Sequence, residues 1–330
     1  MNGVGFGVEL GHLAGLRFGA RLGSFAGLRF FARTPGVFVK RFALIAVSLA
    51  GTAFLIFFCQ ADVVAAPAIS PAVLMRSANN EFQAGRFASA SIKYSNLLER
   101  NLTYPQLREV LTSFCESTLR EGKLAKAESL TVLAKAKISD PVALGRVAFL
   151  GAEILYFRGD TKQATKEYVD FLSANKESPL ANDAIDRLLL MDENSDNEGR
   201  PLVAYSHAEF FEFAGMPDSA TAVIRELLRG FPDSQIADDA RMKMGDILST
   251  RGKFLEAVEE YRALEASFPQ SGLVPVSKLK TAAIYSDKLR ESDKAAVEYE
   301  GIVTAFPGTS FAAEARSQLQ KLKVGSSRRQ

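Results

Sequence analysis

The stretch GDILSTRGKFLEAVEEYRALEASFPQS, residues 245–271, decides how this chain is read. Two small residues, Gly245 and Gly252, lie seven apart. Ala257 follows five after the second, Tyr261 four after that, and Phe268-Pro269-Gln270-Ser271 closes the stretch. The aromatic lies one helical turn beyond the alanine, so the two share a face. A glycine between two helical stretches suits a tight turn, because a residue without Cβ takes positive φ without strain. Gly245 in the first helix and Ala257 in the second offer small surfaces to each other and let the helices cross closely. Proline then stops the second helix, and the serine after it is read as the cap of the next one.

Working outward, the frame recurs as Gly85/Ala90/Tyr94 and Gly159/Ala164/Tyr168. It is weaker as Gly122/Ala127/Thr131 and Gly215/Ala220/Ile224, and at Ala295/Tyr299 the glycine is lost. The glycines are spaced 37, 37, 56 and 37 residues apart, and the last two alanines 38. Ala152, Ala208 and Cys115 hold the place of Gly245 in other copies, and Phe231-Pro232-Asp233-Ser234 and Phe306-Pro307-Gly308-Thr309 repeat the closure. Upstream, Ser70-Pro71, Asp140-Pro141 and Ser178-Pro179 each offer a cap residue with proline behind it. A fixed period of this size marks stacked supersecondary units.

These residues resemble the tetratricopeptide repeat (TPR), whose Gly, Ala, aromatic and Pro positions are those of Gly245, Ala257, Tyr261 and Pro269. The resemblance is strong over 231–323 and moderate over 71–175. The Phe-Pro-x-Ser/Thr closures resemble the variant of bacterial envelope proteins such as the barrel-assembly TPR lipoprotein and the Tol–Pal coordinator. Two departures stand out: the chain has no Trp, and its period exceeds the usual repeat length. The resemblance implies an all-α, right-handed superhelical solenoid. Six helix pairs are expected at about 71–100, 105–137, 141–174, 198–230, 234–267 and 273–305, with a capping helix at 310–323. The long interval of 56 leaves an inserted helix and the polar run DENSDNEGR at 178–199, so the repeats divide into 69–177 and 200–323 with a tail at 324–330. The insertion reads as a tolerated one that caps the first half; a hinge is the sharper alternative.

The 330 residues, 47% hydrophobic and 24% charged, are those of a globular chain behind an unusual start. Residues 1–36 are rich in Gly, Phe and Arg, with near-duplicates AGLRFGA and AGLRFFA, and read as an overlong translated start, the alternative being a basic extension that touches membrane or nucleic acid. Residues 37–68 read as a signal peptide or signal anchor. Lys40 and Arg41 precede seventeen uncharged residues, Phe42 to Phe58, and Ala66-Pro67-Ala68 offers an A-x-A-like cut. Either route exports the repeats, to the periplasm or held at the inner membrane. Phe57 and Phe58 are too bulky for the lipid-attachment signal that Cys59 would otherwise suggest. Removing 1–68 takes away six basic and two acidic residues from a net charge of +2 and leaves −2. That balance lacks the footprint of a nucleic-acid binder.

No cofactor, metal site or catalytic group is expected. His12 and His207 are the only histidines, and no HExxH, CxxC or phosphate-binding glycine loop follows a strand. GVGFG at 3–7 precedes no strand–helix unit. Cys115 sits at the close-packing position and is read as packing. The resemblance places protein-binding residues on the first helices: Glu153, Tyr156 and Phe157 in the third pair; Leu202, Tyr205, Glu209, Glu212 and Phe213 in the fourth; Asp239, Met242, Asp246 and Ser249 in the fifth. Aromatics with a surplus of carboxylates would suit envelope proteins or peptide segments, basic ones included. The reading is a non-catalytic protein-binding scaffold. The alternative is an enzyme acting on cell-wall polymers, or its accessory arm, working through paired groove carboxylates.

Overall fold

The computed structural model describes residues 43–49, 52–58 and 69–327. The chain divides into two units, residues 1–68 and 69–330. The first shows strands β1 (Ala43–Leu49) and β2 (Thr52–Phe58), paired antiparallel with Ala43 opposite Phe58 and Leu49 opposite Thr52. The expected secretory segment thus takes extended backbone, on which β-branched and aromatic residues are favoured. The overlong start, Cys59 and the cut at Ala68 lie outside the described residues.

In the second unit every regular element is helical. The pairs are α1 (Pro71–Gln83) with α2 (Phe87–Leu98), α3 (Tyr104–Arg120) with α4 (Leu124–Lys137), and α5 (Pro141–Phe157) with α6 (Thr161–Ala174). After the single helix α7 (Ala181–Glu193) come α8 (Arg200–Phe213) with α9 (Pro217–Gly230), and α10 (Ala237–Thr250) with α11 (Phe254–Ser267). Helix α12 (Val274–Ala283) runs into a π-helical turn, Ile284–Lys288, and pairs with α13 (Ser292–Ala305); α14 (Ser310–Ser327) closes the array. The expectation of a helical-repeat solenoid holds.

Local chemistry explains the helix ends. Ser70 Oγ accepts from the Val73 amide at 3.4 Å and Asp140 Oδ1 from that of Ala143 at 2.9 Å, each ahead of a proline in the first turn. At the other end Gly252 has φ +76°, and the Lys253 amide reaches back to the Leu248 carbonyl at 2.9 Å. That bond satisfies a carbonyl the helix cannot pair internally. The Phe-Pro closures form reverse turns in which the Ser234, Ser271 and Thr309 amides bond back to Phe231, Phe268 and Phe306. Only Thr309 then caps as expected, accepting from Ala312 at 3.3 Å. Ser234 does not: its hydroxyl donates to the Phe231 carbonyl at 3.0 Å, and α10 starts three residues later at Ala237.

The frame alanines, Ala90, Ala127, Ala164, Ala220, Ala257 and Ala295, are all fully buried between the helices of their pairs. A Cβ added to Gly245 would run into the Tyr261 ring, 2.7 Å from Cδ1. The sixth pair departs from the frame: Ala282 and Tyr299 lie one residue further apart than Gly245 and Tyr261. The π-helical turn absorbs that residue, and Arg290, at φ +61°, stands where the glycine would be. Apolar packing falls into two clusters, one around Tyr94, Leu111, Phe114 and Val147, the other running from Leu119 to Ala315. The second takes in Ala184 and Met191 of α7, so the insertion is bound into the core, unlike a hinge.

Candidate functional site: the inner helix face

In the first five pairs the residue after the small position of the first helix meets a neighbouring helix. These residues are Asn79, Glu116, Glu153, Glu209 and Asp246. Three accept a hydrogen bond from the frame tyrosine of their own pair: Tyr94 Oη to Asn79 at 2.7 Å, Tyr168 Oη to Glu153, and Tyr261 Oη to Asp246 at 2.5 Å. Four also meet a cation from a later helix. Arg146 approaches Glu116 at 3.4 Å, Lys243 approaches Glu209 at 3.5 Å, and Lys280 holds Asp246 at 2.5 and 2.7 Å. Helix α8 carries no Lys or Arg between Pro201 and Phe213, and Arg187 of α7 supplies the missing charge. It reaches Glu153 at 3.3 Å and Glu209 at 2.6 Å while lying 4.1 Å over the Tyr156 ring.

This is the most densely charged buried spot among the described residues. Tyr156 Oη donates to Glu209 at 2.7 Å, completing a chain from Tyr168 through Glu153, Arg187 and Glu209. Burial works against the charge of Arg187, but Glu153 and Glu209 more than offset it and raise its pKa. Burial and the Glu209 charge both push the Tyr156 hydroxyl well above the ordinary tyrosine value. The two carboxylates face each other, as glycoside hydrolysis would need, but a guanidinium stands between them, where a water or sugar would have to be. The arrangement ties helices together.

The proposed contact residues divide sharply. Tyr156 is wholly buried, Tyr205 and Met242 are buried, and Leu202 and Phe157 lie in the same core. As surface anchors these are corrected: α8 leans on α5, stacking Phe157 against Phe210 and Phe213 at 5.7 and 5.6 Å. Glu153 and Glu209 are held inside by Arg187, whereas Asp246, paired with Lys280, keeps 36% of its side chain exposed. Glu212 is accessible as well, its side chain 40% exposed beside Lys243 at 3.1 Å. Phe213 is half-buried, with Arg120 4.1 Å over its ring. Ser249 is half-buried too. Asp239 loses hydration by burial, and the charges of Asp238, Glu209 and Glu193 add to this, lifting it to about 7 against the pull of Lys243. His207 packs beside Gly159, and burial pushes the Cys115 thiol up to about 12, which suits packing. Among the described residues no group of three metal-binding side chains occurs.

The cations were missed in the sequence, although Lys243 and Lys280 each stand two before the small residue of their helix, a recurrence visible once the frame is laid out. Arg187 left no such signal, since it lies on the helix outside the period.

The fold and this face define a class: a solenoid of TPR-like helix pairs whose inner carboxylates are tied to the next helix by cations. No family model matches the chain, and no curated protein matches it. Solved structures similar to it include a tetratricopeptide repeat protein of Parabacteroides merdae, with 16% identity over 77% of this chain and 98% of that one, at a TM-score of 0.32. The TPR2AB domain of yeast Sti1 in complex with pHSP90 gives 13% identity over 77% and 98%, at 0.33. YrrB, a TPR protein with an unusual peptide-binding site, gives 15% over 63% and 91%, at 0.31. Likeness at this level carries no argument, and the repeat class rests on the chain's own period, turns and packing.

Proposed function

We propose that the chain is a non-catalytic scaffold that binds other proteins or peptide segments through its solenoid and works outside the cytoplasm, in a bacterial envelope. The observation that carries the binding role is how the ionisable groups are used. Most of those that converge on the inner face pair across helices and stiffen the array: Glu153 and Glu209 with Arg187, Glu209 and Glu212 with Lys243, and Asp246 with Lys280. A stiff repeat array has extended surface as its means of action. Basic segments suit the fourth and fifth pairs, where Glu209 and Glu212, together with Glu153 of the neighbouring third pair, share only two cations, Arg187 and Lys243. Export rests on Lys40-Arg41, the apolar run 42–58 and Ala66-Pro67-Ala68. Among the described residues no helix is long and apolar enough to cross a membrane.

One experiment addresses both parts. The full chain is expressed in its native host, the envelope fraction is cross-linked, and the protein is purified and sequenced from its N-terminus. The expected result is export, with a start at Ile69 or an intact anchor, and a stoichiometric protein partner that Glu212→Lys releases. A chain confined to the cytoplasm would overturn the location, and one with no partner in any fraction would overturn the scaffold.

A further inference from the structure

The segment that leads into α7 does more than connect. Between the first turns of α5 and residues 173–180 opens a cleft of about 930 Å³, bordered by Pro141, Val142, Arg146, Ala174, Pro179 and Leu180. Val142 borders it with 76% of its surface exposed. Arg146, one helical turn on, shares its face. Arg146 and Leu180 also border a second hollow of about 220 Å³, walled by Phe149, Phe157, Phe213 and Arg120. The two hollows follow α5, whose 17 residues span about 25 Å. About seven residues of extended chain cover that distance. The inner hollow has room for a side chain or two and none for a helix.

Charge narrows the occupant. Arg120 and Arg146 both turn to one carboxylate, Glu116, at 3.9 and 3.4 Å, with 37% and 57% of their side chains exposed. Glu153, which also borders the inner hollow, is already held by Arg187. At the outer rim Lys176 and Glu177 balance each other. The outer cleft by itself keeps one positive charge in excess, Arg146 and Lys176 against Glu177, among neutral polar side chains (Ser173, Asn175, Ser178) and its apolar ones, the opposite of the surplus on the fourth and fifth pairs.

We propose that this cleft binds an extended, apolar protein segment carrying an Asp or Glu side chain, which docks on Arg146 and Arg120 while its apolar residues cover Val142 and Leu180. The proposal rests on the scaffold reading and deepens it. The occupant differs from a basic segment on the fourth and fifth pairs, so the two sites fail separately.

The test uses a displayed library of random ten-residue peptides selected against the full chain, with recovered peptides resynthesised, labelled and titrated by fluorescence anisotropy. Expected are apolar peptides with an acidic residue, whose affinity falls on the order of tenfold in Arg146→Glu and in Val142→Asp. Replacing the peptide's acid by Lys should restore binding to Arg146→Glu. Both positions are exposed, so melting temperatures should match the wild type; Arg146→Gln replaces Arg146→Glu if the latter is unstable. Recovery of basic peptides only, of peptides indifferent to both substitutions, or of none overturns the cleft. A native partner released by Glu212→Lys and kept by Arg146→Glu and Val142→Asp would also overturn it, leaving the scaffold reading intact.

Discussion

At the scale of single residues, the sixth pair carries a cost that the others avoid. The turn residue is glycine at φ +70° to +83° in the first five pairs, and Arg290 at φ +61° in the sixth. A side chain in that region costs about 1–2 kcal/mol, and glycine gives back about 0.5–1 in backbone entropy. Arg290 is exposed, so Arg290→Gly should stabilise the chain by about 0.5 kcal/mol and raise its melting temperature. A lower melt would mean that the arginine makes a contact worth more than the strain. Asp239 is a second case. Its native pKa of about 7 lies above the ordinary 3.8, so between those values the native state holds a proton that the unfolded chain has released. Stability therefore declines as pH rises from about 4 to about 7. Asp239→Asn should leave melting near pH 4 almost unchanged and raise stability at pH 8 by ~1–2 kcal/mol, after discounting the shift for partial solvent screening. A variant less stable at pH 8 would show an ionised carboxylate well paired with Lys243.

At the scale of elements, α7 is the unusual one. It belongs to no pair, yet its Ala184 and Met191 are in the core and its Arg187 joins α5 to α8. Removing one partner of a buried ion pair leaves the other uncompensated, at about 3–5 kcal/mol. Arg187→Ala, with the site retaining some solvent, is expected near the low end, about 3 kcal/mol by urea unfolding. Arg187→Lys should recover only part, because an ammonium lacks the fork that reaches two carboxylates at once. A loss under ~1 kcal/mol would class the contact with surface ion pairs and detach α7 from the integrity of the array.

At the scale of the molecule, each pair is covered by the next, and the last needs a lid. Ala312 and Ala315 of α14 are fully buried against the sixth pair. Ending the chain at Thr309 should therefore lower the melting temperature and increase binding of a hydrophobic dye, since a terminal repeat without a cap exposes its apolar face. An unchanged melt would make α14 an ornament.

What was legible in the sequence is what acts over one pair. Gly252 and its equivalents announce a left-handed turn, Ala257 a close crossing, and Tyr261 a shared face, because each of these needs is met within about twenty residues of its cause. Even there two copies of one motif diverge. Ser234 and Thr309 close the same Phe-Pro-x-Ser/Thr motif, but Gly308, at φ +80°, lets α14 begin at once, whereas two further turn residues precede α10. The inner face was legible only in part. The resemblance put Tyr156, Tyr205 and Met242 on a binding surface, while the packing of the helices buried them. Glu209 read as a free carboxylate until α7 brought Arg187 to it. The sequence by itself determined the repeat, its period and its small-residue contacts, which are short-range steric requirements. Only the tertiary structure decided which inner side chains meet solvent and which meet counter-ions, because those contacts join residues 22 to 53 apart in the chain and depend on an insertion that obeys no repeat.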